Sequence, residues 1–139
     1  MYTFTKKERL CNRETIQQLY NSPHKLLVFP LSVHWLSVDY SEQKSRLQTV
    51  IVAPKKKLHH AVDRNRTKRL MRECFRVRKG EILKYLEEHN ISIALSINYI
   101  NNTLPEFHRL GTTFDKLTEL LCKQIDEYLH HQEDNDRAC

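Results

Sequence analysis

Apolar and polar residues alternate in three segments that we predict to be β-strands. These are Leu31 to Tyr40, Leu47 to Ala53 and Ile91 to Ile97. In the last segment the isoleucines and the leucine recur at every second position, which places them on one face of a strand. The polar segment Ser41 to Ser45 predicts a hairpin loop between the first two strands.

Apolar residues at helical spacing predict helices elsewhere in the chain. We expect a short helix from Arg13 to Tyr20 and a longer one from about Asp63 to Lys79, with Asp63 as its cap or as an anion in its first turn. The helical pattern continues from Glu81 to Glu88, so Gly80 is either a break or a tolerated interior position.

A C-terminal amphipathic helix is predicted to cover the sheet. Its apolar positions are Phe114, Leu117, Leu121, Ile125 and Tyr128. The polar tail, residues 130–139, is expected to fray, which leaves residues 1–129 as one domain. The order of elements predicts an α+β fold, an α/β sandwich around a small sheet.

The long helix is strongly basic, with six arginines and lysines among the thirteen residues from Arg64 to Arg76. A helical wheel separates a cationic face from an apolar face. The predicted cationic face holds Arg64, Asn65, Lys68, Arg69, Arg72, Arg76 and Lys79. The predicted apolar face holds Thr67, Leu70, Met71, Cys74 and Val77.

Such a cationic face is either a solvated helix surface or a surface that binds a polyanion. Only Glu73 lies close enough in sequence to neutralise these cations by helical pairing. Arginine outnumbers lysine, and its planar guanidinium suits phosphate oxygens. We therefore interpret this face as an RNA-binding surface.

Composition agrees with a polyanionic partner, because the net charge is +6 and the isoelectric point is about 9.2. No apolar run approaches the length of a membrane span or of a signal core, so we expect a cytoplasmic protein. The four cysteines are far apart in sequence and are expected to be reduced thiols without zinc. They are Cys11, Cys74, Cys122 and Cys139.

The sequence offers no persuasive nuclease site, since a metal-dependent nuclease needs clustered carboxylates to hold Mg²⁺. The carboxylates considered lie on unrelated elements: Asp39, Glu42, Asp63, Glu73 and Asp115. His59 and His60 could form an acid and base pair, but adjacent side chains usually diverge. We expect no catalytic residue and no metal ligand in the protein itself.

The basic segment carries a specific resemblance: Arg64-Asn65-Arg66-x-Lys68-Arg69-x-x-Arg72-Glu73 resembles the RNR motif of the bacterial ribonuclease P protein subunit. Flanking segments resemble the same family in order, over about residues 4 to 125. They are Phe4-x-Lys6-Lys7-x-Arg9-Leu10, Ile16-x-x-Leu19-Tyr20, Pro30-Leu31-x-Val33 and Val52-x-Pro54-Lys55-Lys56-Lys57. Two positions depart from the family pattern. His59 replaces a common glycine, which suggests a turn without a positive φ angle, and Ile16 replaces an aromatic residue.

The resemblance implies a small, mainly antiparallel sheet in the fold of ribosomal protein S5 domain 2, with a left-handed βαβ crossover. It also implies a protein subunit of the ribonucleoprotein that removes the 5′ leader from precursor tRNA by endonucleolytic cleavage. By this resemblance, the RNA subunit with bound Mg²⁺ carries out the chemistry. The implied partners are ribonuclease P RNA and precursor tRNA, with no membrane and no DNA.

The resemblance also implies two sets of binding residues. Contacts to RNA phosphates are expected from Arg64, Asn65, Arg66, Lys68, Arg69, Arg72, Arg76, Lys55, Lys56 and Lys57. The cleft for the single-stranded leader is expected at Ile16, Tyr20 and His34. Arg66 lies near the apolar boundary and could instead serve packing or an ion pair. Trp35 is expected in the core, because strand alternation places it opposite His34.

Three alternatives remain open from the sequence. A generic RNA-binding protein, for example one like a ribosomal protein, would share the basic helix but would not distinguish tRNA with a leader from tRNA without one. A DNA-binding module would prefer a duplex sequence. A self-sufficient protein endonuclease would cut without an RNA subunit.

Overall fold

The computed structural model of the chain describes residues 13–38 and 46–137. In chain order its elements are α1 (Arg13–Tyr20), β1 (Lys25–Val28), β2 (Leu31–Val38), β3 (Leu47–Val52), α2 (Ala61–Glu88), β4 (Ser92–Tyr99) and α3 (Phe107–Arg137). The segment Ser41 to Ser45, the N-terminal motif Phe4 to Leu10, Asp39, Glu42, Cys11 and Cys139 lie outside the described residues.

The four strands form one sheet in the order β1-β2-β4-β3. β1 pairs with β2, and β2 pairs with β4, in antiparallel fashion, whereas β3 and β4 are parallel and are joined by α2. The α+β class and the mainly antiparallel sheet are thus confirmed. The left-handed crossover stays an expectation from the resemblance.

The predicted hairpin between β2 and β3 is wrong, because β4 lies between these two strands. Every residue of β4 is buried, on both faces of the sheet. A strand with two apolar or closely packed faces gains most at an inner position, so β4 displaces β3 from β2. The short edge strand β1 was not predicted, since four residues between Pro23 and Pro30 give too little periodicity.

The two faces of the sheet are covered unequally. On one face, α2 and α3 enclose the main core, which includes Trp35 and Phe114. On the other face, the eight residues of α1 cover only a small cluster in which Leu19 packs on Ala94. This second face therefore stays partly open.

The long helices are more continuous than the sequence suggests. α2 runs through Gly80, so that glycine is a tolerated interior position, and Asp63 lies in the first turn while His60 is the N-cap. At the other end, Asn90 has a φ of 52° just beyond the helix, a conformation that asparagine tolerates. α3 continues past His130 to Arg137, beyond the expected start of the polar tail.

Candidate nucleic-acid interface

The buried stripe of α2 differs from the predicted apolar face. It consists of Thr67, Met71, Cys74, Phe75, Lys79, Ile82 and Leu86. Lys79 is only 3% exposed and Val77 is 52% exposed, so both were assigned to the wrong face. The reason is Phe75, whose ring lies 6.5 Å from that of Phe114 in α3. Because residues four apart share a helix face, burial of Phe75 brings Lys79 into the interior with it.

The outward face of α2 keeps most of the RNR motif in solvent. We call this the RNR surface; it comprises Asn65, Arg66, Arg69 and Arg72, all of which are exposed. Within the described part of the chain, its three arginines have no ion pair and no side-chain hydrogen bond. The exposure of Arg66 rules out the packing role that its position on the wheel left open. Four helix positions therefore offer polar or cationic groups that are free to bind an anion.

Glu73 neutralises one cation, Arg76. Their closest atoms, Arg76 Nη2 and Glu73 Oε1, are 2.6 Å apart, and Arg76 Nε donates a second hydrogen bond to Glu73 Oε2 at 3.1 Å. The hydrogen bond from Arg76 lowers the pKa of the Glu73 carboxyl. Arg76 is half-buried as well, so it is less available to a partner than the exposed arginines of the RNR surface.

Residues 53–60, here called the lysine turn, connect β3 to α2 and display Lys55, Lys56 and Lys57 to solvent. Pro54 O accepts hydrogen bonds from the amides of Lys57 and Leu58, and the Leu58 side chain is buried. Among the described residues only Asn90 has a positive φ, which confirms that the turn with His59 needs none.

Arg64 lies at the start of α2 and faces the lysine turn. Its Nη1 donates to Leu58 O at 3.0 Å and to His59 O at 2.8 Å. His60, the N-cap residue, makes no side-chain capping hydrogen bond. Arg64 thus bonds the turn to the helix, although the sequence marked it only as a contact to RNA.

The partly open face of the sheet carries a polar patch next to α1, where the sequence predicts the cleft for the leader. We call it the leader cleft; it comprises Ile16, Tyr20, His34 and Asn98. The rings of Tyr20 and His34 are 5.3 Å apart, and Tyr20 is 43% exposed. Ile16 is half-buried and packs in the cluster around Ala94, so the structure brings all three predicted cleft residues to the same face.

Asn98 was missed by the sequence reasoning, and it orders the leader cleft. Its Oδ1 accepts a hydrogen bond from the Tyr20 hydroxyl at 2.9 Å, while its Nδ2 donates to Ser32 O and to Ser96 Oγ. Because Asn98 is buried and fully engaged, it fixes the direction of the Tyr20 ring. Only its position on the polar side of an otherwise apolar strand could have signalled this role.

His34 keeps a neutral imidazole in the leader cleft. Burial, and to a lesser extent the charge of Lys25, lowers its pKa. Its Nδ1 is buried without a hydrogen-bond partner among the described residues. An unpaired acceptor is easier to bury than an unpaired donor, so the proton is expected on Nε2. His34 can then donate to a phosphate or base oxygen.

Trp35 lies on the opposite side of β2, in the core, as predicted. Its Nε1 donates to Gln124 Oε1 at 2.8 Å, and the His24 ring stacks on it with centroids 4.2 Å apart. Trp35 is therefore a structural residue that fastens α3 to the sheet, and the aromatic surface offered by the cleft belongs to Tyr20.

The leader cleft and the lysine turn lie at the same end of the sheet. In the parallel pairing of β3 with β4, Val52 is the register partner of Asn98. The lysine turn begins directly after Val52. A strand of RNA bound in the cleft would therefore reach the lysines without crossing the sheet.

The described residues contain no group of three or more histidine, cysteine, aspartate or glutamate side chains that could hold a metal ion. The two described cysteines, Cys74 and Cys122, are free thiols, and burial raises the pKa of each. No described helix is long and apolar enough to cross a membrane.

Known proteins resemble this chain in sequence and in fold. A family model described as Ribonuclease P matches residues 4–118. The ribonuclease P protein component of Porphyromonas gingivalis is 29% identical over 116 residues, which are 83% of each chain. That of Chlorobium phaeobacteroides is 32% identical over 100 residues, covering 67% of this chain and 61% of the relative.

The Staphylococcus aureus RNase P protein has the same fold. It matches with a TM-score of 0.64 and 19% identity, over 82% of this chain and 94% of that chain. The family model spans the short helix, the lysine turn and the whole RNR surface. From this coverage and from its relatives, the chain belongs to the ribonuclease P protein family.

Proposed function

We propose that this ribonuclease P protein binds two RNAs through two different surfaces. The RNR surface and the lysine turn bind the phosphate backbone of the ribonuclease P RNA. The leader cleft binds the single-stranded 5′ leader of precursor tRNA. The observation that carries this proposal is the set of exposed arginines on α2 without partners among the described residues; the lysine turn that leads into α2 starts at the end of the sheet where Tyr20 lies.

Unpaired arginines on one helix face favour a phosphate ligand. Neighbouring cations repel one another, and the RNR surface does not relieve this repulsion with carboxylates of the described residues. Each guanidinium can make two parallel hydrogen bonds to a phosphate, which is stronger than a contact through an ammonium group. Contacts to phosphate fix position without reading sequence, as binding to a folded RNA of fixed shape requires.

The leader cleft favours single-stranded RNA. Tyr20 offers a half-exposed ring whose direction is fixed by Asn98, and His34 offers a neutral donor beside it. Stacking of a base on an aromatic ring is worth about 1–3 kcal/mol and tolerates any base. A subunit that acts on many precursor tRNAs needs such tolerance, because their leaders differ in sequence.

The chemical step is assigned to the RNA subunit with Mg²⁺. Hydrolysis of a phosphodiester with the aid of metal ions needs several oxygen ligands around each ion, and the described side chains form no such group. The contribution of the protein is then to place two polyanions side by side and to reduce their repulsion. Because bacteria make precursor tRNA in the cytoplasm, we propose that the protein acts there.

Reconstitution tests the proposal. The purified chain is combined with ribonuclease P RNA from the same source, and cleavage of precursor tRNA is followed at low Mg²⁺, with each component also tested alone. We expect cleavage at the mature 5′ end only when both are present. Cleavage by the protein alone would reveal a protein nuclease, and binding without stimulation would favour a generic RNA-binding protein.

A substrate pair tests the leader cleft in the same assay. Precursor tRNA with a long leader and mature tRNA without a leader are compared for affinity to the reconstituted enzyme. We expect the protein to increase affinity for the leader-bearing RNA more than for the mature one. Equal increases in affinity for both RNAs would show that the cleft does not bind the leader.

A further inference from the structure

Arg64 differs from the arginines of the RNR surface in how its guanidinium is used. Its Nη1 donates to two backbone carbonyl oxygens, Leu58 O at 3.0 Å and His59 O at 2.8 Å. Arg69 and Arg72 make no such contacts among the described residues. An Nη1 engaged by two carbonyl oxygens is not available to a phosphate, which leaves Nε and Nη2 as the remaining donors of Arg64.

The buried side chain of Leu58 anchors the middle of the lysine turn, but few hydrogen bonds hold the rest of it. Three consecutive lysines repel one another, and the turn contains no glycine to relax its backbone. The only backbone hydrogen bonds found within it are those from Lys57 and Leu58 to Pro54 O. The helix that follows starts at His60 without a side-chain cap. Arg64 supplies two charge-assisted bonds at the place where turn and helix meet.

We infer that Arg64 is a positioning residue, which holds the lysine turn in place so that Lys55, Lys56 and Lys57 meet the RNA together. Its effect on RNA binding then passes through the lysines. This inference rests on the proposed function only in naming RNA as what the lysines bind. The link between Arg64 and the turn can be tested in the protein alone.

The first experiment measures how readily the lysine turn opens in the absence of RNA. Digestion by a lysine-specific protease reports opening of the turn, and hydrogen exchange at the Lys57 and Leu58 amides reports loss of their bonds to Pro54. We expect Arg64→Ala to raise both rates about tenfold or more, since two bonds from a charged donor are lost. In Arg64→Lys, hydrogen exchange alone is read, because the new lysine adds a protease site; part of the protection should return, because an ammonium group can still reach one carbonyl.

Lys84→Ala is the matched control. It removes one exposed positive charge from the same helix, about 30 Å along the axis from Arg64. We expect it to leave cleavage and exchange in the turn unchanged. Unchanged rates in Arg64→Ala as well would overturn the positioning role, whatever the protein binds.

The second experiment separates an indirect effect on RNA from a direct one. Affinity for ribonuclease P RNA is measured for Arg64→Ala in the natural chain and in a variant with Lys55, Lys56 and Lys57 all changed to alanine. We expect Arg64→Ala to weaken binding about tenfold in the first background and less than twofold in the second. Arg69→Ala should weaken binding by the same factor in both backgrounds.

Each remaining outcome decides the question. An equal loss from Arg64→Ala in both backgrounds would mean a direct contact and would overturn the inference. An opened turn with unchanged RNA affinity would also overturn it. If no variant and not even the natural chain binds the RNA, the proposed function fails, while the protease and exchange rates still show whether Arg64 holds the turn.

Discussion

The two halves of α2 use the same residue types for opposite purposes. In the first half, Arg69 and Arg72 are exposed and make no ion pair with any described residue. In the second half, Arg78 Nε contacts Asp115 Oδ1 of α3 at 2.6 Å, and Arg78 Nη1 donates to Cys74 O. Arg69 and Arg72 are therefore left without described partners in the first half, whereas Arg78 helps to hold two helices together in the second.

The boundary between the two halves falls at Glu73 and Arg76. These two residues pair with each other, so the helix changes from unpaired to paired charge within one turn. A count of arginines along the sequence, four before Glu73 and two after it, does not show which of them are paired. Pairing, which depends on α3 as well as on α2, is what distinguishes a binding surface from a packing surface.

The largest expected effect comes from removing charge in the first half. Arg69→Ala combined with Arg72→Ala should weaken binding to ribonuclease P RNA about 100-fold, because two charge-assisted contacts are lost. The salt dependence should also flatten, by about 0.7–0.9 in log K against log salt per lost phosphate contact. Filter binding at several salt concentrations measures both quantities.

The control for this double variant is its stability. Neither arginine makes a hydrogen bond or an ion pair with a described residue, so urea unfolding should match that of the natural chain. Lys84→Ala, on the same helix, should change neither affinity nor stability. A clear loss of stability in the double variant would mean that these arginines are structural, and the contrast between the two halves would disappear.

Tyr20→Ala sharpens the comparison of the two halves of α2, because it tests binding by stacking on a ring instead of binding by unpaired charge. We expect about tenfold weaker binding of precursor tRNA with a long leader, within the range of one lost stacking contact, and almost no change for mature tRNA. The salt dependence should stay as in the natural chain. Equal losses on both substrates would place Tyr20 outside the leader cleft.

Tyr20→Phe separates the ring from its anchor. The phenylalanine ring can still stack, but Asn98 loses the hydroxyl that it binds at 2.9 Å. We expect leader affinity between those of the natural chain and Tyr20→Ala. A loss as large as that of Tyr20→Ala would show that orientation by Asn98, and not ring area, decides binding.

In the second half of α2, Arg78→Ala should affect folding and spare RNA. The variant loses the contact to Asp115 and the bond to Cys74 O, but Asp115 is largely exposed, so we expect a loss of about 1 kcal/mol in the free energy of unfolding. RNA affinity should stay within twofold. Urea unfolding and filter binding test the two parts, and a large loss of affinity without a loss of stability would reverse the comparison.

Local pattern was enough to predict much of this molecule. The bounds of α1 match the prediction, and all five apolar positions predicted for α3 lie on its inward side. The assignment of the face of Trp35 was also correct. Each of these depends on residues within a few positions of one another, where helix or strand period decides which side a residue faces.

The errors concern contacts between distant segments. β4 separates β2 from β3 because of burial on both of its faces, which no loop composition reveals. Lys79 and Val77 were predicted on the wrong faces of α2, because Phe75 packs against the ring of Phe114 in the core. In the candidate site, the basic face of α2 could be predicted, whereas Asn98 could not, since Tyr20 is 78 residues away in sequence.

The smallest expected effect is a change of the free energy of unfolding with pH, which comes from histidines and not from arginines. Arginines stay charged at every pH used here, but burial lowers the pKa of both His24 and His34 below the ordinary 6.5. The unfolded chain then binds more protons than the folded one as pH falls below 6.5. The free energy of unfolding should have its full value above pH 6.5 and decline as pH falls through the lowered pKa values of the two histidines.

Urea unfolding between pH 7.5 and pH 5 measures this decline before most carboxylates titrate. His24→Gln combined with His34→Gln should flatten it, and an unchanged slope in that variant would assign the decline to other groups.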